Sequence, residues 1–428
     1  MTDYVMFTLI FASIMVAAVR AGRGVGTETD FALAGRSATS GDVAWIIIGT
    51  LVGGAATVGT VQMAYLYGFA AWYFTLGSGL ACLMLALVFS RALRESESIT
   101  VAQFLGRHFG PGFQTYSSLI ASGGMLMQIV AQFLAAVALI RAVFDLAPPP
   151  AIAAAALLTL GMIIGGGVAG AGLVGKLKCF LLYLIMLLGA GLALGRAGSW
   201  EGLLAGARSQ GSPLSLFAYG LRPAMVDLGS MIIGVLSTQI YLQAVFAAQT
   251  VRAARRGALL SAVLIPPLGL LGIVIGLYLR GRAPELAADT ARALPFFIDQ
   301  AFPSPVAALL LAGLLVIVLG TGAGLALGVT TNLYNDLLAR MPWMRDRRGM
   351  TLMRTCCALI VLLAAAVAWL SLHTPILQWS YVAMGLRGTA VFAGLCLATF
   401  FRGAPWIAAF RPVLFALPIL YLAYIIWR

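Results

Sequence analysis

G-T-L-V-G-G-A-A-T-V-G-T-V-Q-M-A-Y-L-Y-G, residues 49–68, is long and apolar enough to enter a bilayer, yet it is crowded with glycine and threonine. About 20 apolar residues carry a helix across the hydrocarbon core. Glycines at Gly49, Gly53, Gly54 and Gly59 invite that helix to break. Carbonyls and amides freed at membrane depth cannot face lipid, where each unsatisfied group is costly, so they must line a cavity or bind something. The stretch therefore points to a transport site.

The surrounding composition agrees with a bilayer. Of 428 residues, 61% are hydrophobic and only 10% charged, with a mean hydropathy of +0.99. That is too little polar surface to cover a water-soluble globule. Twelve apolar spans are expected: 4–20, 43–68, 70–92, 113–143, 151–172, 179–196, 224–250, 257–279, 304–335, 352–371, 378–400 and 405–427. The chain thus reads as an all-α polytopic membrane protein forming one transmembrane domain over 1–428. The first span lacks a basic leader and a small-residue cleavage site, so it is expected to be retained. Cys82, Cys179, Cys356, Cys357 and Cys396 show no metal-type spacing and read as apolar filler.

The net charge of +13 is scattered through short loops instead of forming one patch, which disfavours nucleic acid as a partner. Arg20, Arg23, Arg36, Arg91, Arg94, Arg107, Lys176, Lys178, Arg252, Arg255, Arg256, Arg340, Arg345, Arg347 and Arg348 fall on one side of the expected topology. Cytoplasmic loops carry the excess of basic residues, which places that side inside the cell and the chain in the cytoplasmic membrane. The stretch 94–110 reads as a short interfacial helix capped by Ser98 or Thr100.

A second span is rich in internal polar groups: D-L-G-S-M-I-I-G-V-L-S-T-Q-I-Y-L-Q-A-V-F-A-A-Q, residues 227–249. It lies five spans after the first, and an odd offset means the two run in opposite directions. Inverted repeats with discontinuous helices at matching positions have this arrangement. Repeats over 43–196 and 224–400 are therefore expected, with an extra helix at 4–20 and a final one at 405–427.

The individual residues leave some choices open. The glycines of 49–68 serve close helix packing as well as a break, whereas Thr50, Thr57, Thr60 and Gln62 add polar groups that packing alone does not need. Polar residues at mid-span usually face the bundle interior, which favours Gln239 or Gln243 as solute-lining, while Ser237 and Thr238 could simply bond to the preceding turn. Gln128 and Gln132, one turn apart, serve equally as helix–helix contacts or as site residues. Thr321, Thr330, Thr331 and Asn332 offer the hard oxygens a small alkali cation prefers. Asp336 reads as a solvated helix-end charge. Arg387, inside a span, must pair or face water, which leaves two readings open: contact with an anionic solute, or snorkelling to the interface from nearer a span end. No P-loop, H-E-x-x-H or G-x-S-x-G is present, so neither an enzyme nor an ATP-driven pump is expected.

A-G-R-S (34–37), T-V-G-T-V-Q-M-A-Y-L-Y-G (57–68), S-T-Q-I-Y-L-Q-A-V-F-A-A-Q-T-V-R-A-A-R-R-G (237–257) and T-T-N-L-Y-N-D-L (330–337) resemble, in that order, the sodium:solute symporter family. The resemblance implies a LeuT-like 5+5 inverted repeat with an extra N-terminal helix. It also implies cation-coupled symport of a small solute by alternating access, with sodium as coupling ion. It places the cation between the first and eighth core helices, on Gly49, Val52, Ile317, Gly320 and Thr321. Gly320 stands where a hydroxyl is usual, and Phe180 where many members carry an acid. The solute is expected beside the cation, against Gly53, Gly54, Thr57, Gln62, Gln128, Thr238 and Gln239. Its chemistry reads as neutral or anionic. The two departures leave an alternative: a solute sensor, or an uncoupled or proton-coupled transporter, that keeps the symporter fold.

Overall fold

A computed structural model describes residues 8, 12, 36–208, 212–337, 349–401 and 404–427, without the side chains of 164–177, 335, 349–351, 405 and 408. The expected first span, apart from two isolated positions, and the basic group from Arg340 to Arg348 lie outside the described residues.

Both polar spans are interrupted. The first comprises α1 (Ser40–Leu51), three non-helical residues, a π-helical turn (Ala55–Gly59) and α2 (Thr60–Tyr67). Thr39 and Asp42 form a reciprocal capping box that starts α1. Its 12 residues rise only about 18 Å, so α1 alone cannot cross the bilayer core. At Gly68, φ is 62°, a left-handed turn suited to glycine. The chain then reverses into α3 (Tyr73–Met84) and α4 (Ser90–Glu95).

α5 (Val101–Phe109) lies within the stretch 94–110 expected to hold a short helix, and Thr100, one of its two expected caps, starts it through a capping box with Gln103. α6 (Pro111–Phe144) follows. α7 (Pro148–Ala197) runs 50 residues, about 75 Å if straight, and contains the expected spans 151–172 and 179–196. After α8 (Trp200–Arg208) comes the second interrupted helix, α9 (Leu221–Val235) and α10 (Gln239–Phe246). The remainder is α11 (Val251–Arg280), α12 (Ala293–Ala301), α13 (Ser304–Asp336), α14 (Gly349–Leu370), α15 (Ile376–Phe400) and α16 (Arg411–Trp427).

Among the described residues eight helices are long and apolar enough to cross a membrane, and there is no strand. One isolated bridge pairs Ala38 with Ala248: Ala38 N donates to Ala247 O at 3.1 Å and Gln249 N to Ala38 O at 3.0 Å. The entry to the first interrupted helix is thereby tied to the exit of the second. α6 packs chiefly on α13 and α15, while α11 covers α1, α2 and α3. Leu157, Phe180, Val263, Leu370 and Ile426 are exposed, as a lipid-facing surface requires.

Candidate functional site

The first break is held by its neighbours. Val52 leaves the helix with φ −90° and ψ 102°. Beyond it, Gly54 N donates to Gln132 Oε1 at 2.7 Å, so a side chain of α6 satisfies a freed amide. Thr57 Oγ1 donates to Gly53 O at 2.9 Å, and Gly59 N reaches back to Gly54 O at 2.9 Å, closing the wide π turn. Neither Gly53 nor Gly54 has a positive φ; glycine is required by proximity. A Cβ on Gly53 would lie 2.5 Å from Thr321 Oγ1 and 2.7 Å from Gln132 Oε1, and one on Gly54 would lie 2.5 Å from Ala135 Cβ. Close packing and a helix break therefore coexist at these two glycines.

The expected cation position lies where α1 ends against α13, and the structure brings Gly49 and Thr321 together there. The group between them is Lys178. Its Nζ donates to Gly49 O and to Thr321 Oγ1, and the residue is 5% exposed. Two expectations are corrected by this. Lys178 is not a loop cation that sets topology, and it is Lys178, not Phe180, that α7 turns toward α1 and α13; Phe180 is 66% exposed on the opposite face. Thr321 Oγ1 gives its own proton to Ile317 O at 2.9 Å. Gly320 contributes no hydroxyl, although a Cβ there would meet only Met162 Cε at 3.4 Å. The ligand set thus lacks one hydroxyl and has a backbone carbonyl and a hydroxyl already engaged by an ammonium, which does not fit a bare sodium ion.

At the second break the hydroxyls bond within their own segment. Ser237 Oγ donates to Ile233 O at 2.7 Å and Thr238 Oγ1 to Gly234 O at 2.7 Å, each bonding back to the preceding turn. Gln239 points away from the first break: its Oε1 accepts from Val101 N at 2.9 Å and its Nε2 donates to Ile99 O at 3.0 Å. It fastens the start of α5. The two interrupted helices still meet, because α10 packs on α1 and a Cβ on Gly324 of α13 would lie 3.7 Å from Ile240 and 3.9 Å from Thr50.

Other expected residues are placed as follows. Gln62 stands two turns beyond the break and holds two backbone segments, donating to Thr290 Oγ1 and accepting from Ile376 N, both at 3.0 Å. Gln128, one turn from Gln132, donates to Ser380 Oγ at 2.9 Å and accepts from Arg387 Nη2 at 3.5 Å. Arg387 is 0% exposed. Its Nε donates to Ala383 O at 3.1 Å, and its Nη1 has no partner. Neither Arg387 nor Lys178 has a carboxylate partner among the described residues. Asp336 is not a solvated helix end: it is 0% exposed and accepts from Gln114 Nε2 and Ser118 Oγ, both at 2.9 Å, and from Thr100 Oγ1 at 3.2 Å.

Lys178 and Gln132 are the groups that sequence reading underweighted. K-L-K at the edge of an apolar run resembles any helix-end loop, and Gln132 reads only as the neighbour of Gln128. Their spacing carries no signal, because the partner atoms are backbone groups of a distant break.

The two interrupted helices pack together, with polar side chains buried around their breaks, in an all-helical protein in which eight of the described helices are long and apolar enough to cross a membrane. A profile of the sodium:solute symporter family matches residues 31–409. The chain belongs to that family and is a sodium-coupled solute symporter by that membership, which does not favour the sensor alternative.

Among solved structures, the chain is similar to a Na+-coupled sialic acid symporter in a substrate-bound outward-open state, with TM-score 0.74 and 15% identity, covering 99% of this chain and 98% of that one. It is also similar to the manganese transporter of Eremococcus coleocola, with TM-score 0.56 and 13% identity, covering 93% and 87%. These likenesses concern the fold. No curated protein matches the sequence.

Proposed function

We propose that the chain carries a small anionic solute across the cytoplasmic membrane by alternating access, with sodium as the coupling ion that its family suggests. The arrangement is a LeuT-type core of repeats 43–196 and 224–400 within twelve spans. The first break carries this reading, because Gly54 N and Gly49 O are met by side chains from other helices in addition to the bonds within its own turn. Gly53, Gly54, Thr57 and Gln128 wall the solute position, and Thr238 marks the second break. Gln62 and Gln239, two latches remote from one another, join moving parts that alternate access would have to release.

Arg387 narrows the solute from neutral or anionic to anionic. A guanidinium wholly out of water, with only neutral partners and one free nitrogen, is an expensive arrangement in a bilayer. A solute carboxylate would supply the missing charge, and Arg387 offers it the directional donors such groups prefer.

The test is uptake into proteoliposomes holding the full chain, using labelled carboxylates, amino acids and sugars under an imposed sodium gradient. Carboxylate accumulation is expected, collapsing with the gradient, and Arg387→Gln should lower it about ten-fold or more, the loss of about 1.4 kcal/mol of recognition. Absence of any solute flux under sodium or proton gradients would overturn the reading. Unchanged carboxylate uptake by Arg387→Gln would overturn the anionic assignment.

A further inference from the structure

Lys178 sits where the family places a free cation. Its ammonium touches the carbonyl of Gly49, in the last turn of α1, and the hydroxyl of Thr321 on α13. The last carbonyls of a helix lack intrahelical donors and carry the negative end of its dipole, so the end of α1 favours a positive charge. Thr321 directs its proton to Ile317 O, leaving its oxygen lone pairs toward the lysine. The ligands are thus neutral hard oxygens, the kind an alkali cation takes. They surround a cation covalently attached to the protein.

The neighbouring positions are consistent with that substitution. Gly320 supplies no side-chain oxygen, and only Met162 Cε lies within 4 Å of the Cβ that would carry one. Its absence is therefore not forced by crowding. Gly53, beside Thr321, leaves no room for a side chain on that side. Lys178 is also 5% exposed with no carboxylate partner among the described residues, and a buried ammonium persists only where oxygen dipoles compensate it.

We propose that the Lys178 ammonium is the resident cation of the α1–α13 junction, occupying the oxygens a sodium ion would use and excluding that ion while it remains. The inference rests on the reading that this junction is the cation position of a symporter. While it remains seated, the tethered cation orders the end of α1 against α13. Sodium reaches Gly49 O and Thr321 Oγ1 only after the lysine has moved away. Lys178 is accordingly a competitor built into the fold, and its removal should uncover a sodium site.

The experiment is equilibrium binding of radioactive sodium to the purified full chain in nanodiscs, with choline chloride holding ionic strength constant. Wild type is compared with Lys178→Ala, which opens space, and Lys178→Met, which keeps most of the packing volume if the alanine variant is unstable. Both variants should bind sodium about ten-fold or more tightly than wild type, and adding Thr321→Val should remove the gain. Equal sodium affinity in wild type and both variants, or a gain that survives Thr321→Val, overturns the proposal. If no variant binds sodium while the proteoliposomes still accumulate solute, the cation position fails and the symport reading stands.

Discussion

The two interrupted helices solve one problem in opposite ways. Both expose backbone groups at membrane depth, where water cannot satisfy them. The second break answers locally: Ser237 and Thr238 bond to carbonyls one turn back, and the polar chain that leaves it, Gln239, anchors an interfacial helix. The first break answers at a distance, drawing Gln132 from α6, Lys178 from α7 and Thr321 from α13 onto residues 49–54. At the second break the capping side chains belong to the break itself, although Gly234 lies flush against Met384 of α15. A break capped by three other helices changes only when they change, which suits a site whose occupancy must be felt across the protein.

The contrast can be broken most forcefully at Gly53. Gly53→Val places carbon against Thr321 and Gln132 with no slack, and overpacking of this kind costs about 1–3 kcal/mol or more. A marked fall in thermal stability of the purified protein is the expected readout; an unchanged melting temperature would mean the junction is loosely packed. Gln132→Leu should come next. It leaves the Gly54 amide without its acceptor, a penalty of about 1–3 kcal/mol, visible as faster hydrogen–deuterium exchange at residues 52–57. Slow exchange there would show that another group takes over. Thr238→Val should be the mildest, because a hydrogen bond within a membrane protein averages about 0.6 kcal/mol and the backbone turn is otherwise intact. Exchange across 234–242 should barely move, and a large increase would erase the distinction between the breaks.

The same contrast explains what could be read from sequence. The breaks themselves were legible, since glycines and hydroxyls inside apolar spans have few other uses, and their odd spacing suggested opposite directions. Spans such as 113–143 and 304–335 match α6 and α13 because apolar length is a one-dimensional property. The partners of the first break were not legible. Lys178 lies 129 positions from Gly49, and only folding decides that α7 presents it inward and Phe180 outward. Asp336 misled for a similar reason: a carboxylate at the end of an apolar helix looks solvated until Thr100, Gln114 and Ser118 are brought around it. Gln62 and Gln239 stand out as polar residues at mid-span, but their partners, the Thr290 hydroxyl and backbone groups of Ile376, Val101 and Ile99, come from distant segments.

The central claim is that the first break holds the binding centre and the second serves as a hinge. Carboxylate uptake under a sodium gradient, measured side by side for wild type, Gly53→Val and Thr238→Val in proteoliposomes of equal protein content, tests this most directly. Uptake should be abolished in Gly53→Val and stay within about three-fold of wild type in Thr238→Val, the equivalent of the small bond it loses. Loss of uptake in Thr238→Val with uptake preserved in Gly53→Val would contradict the account.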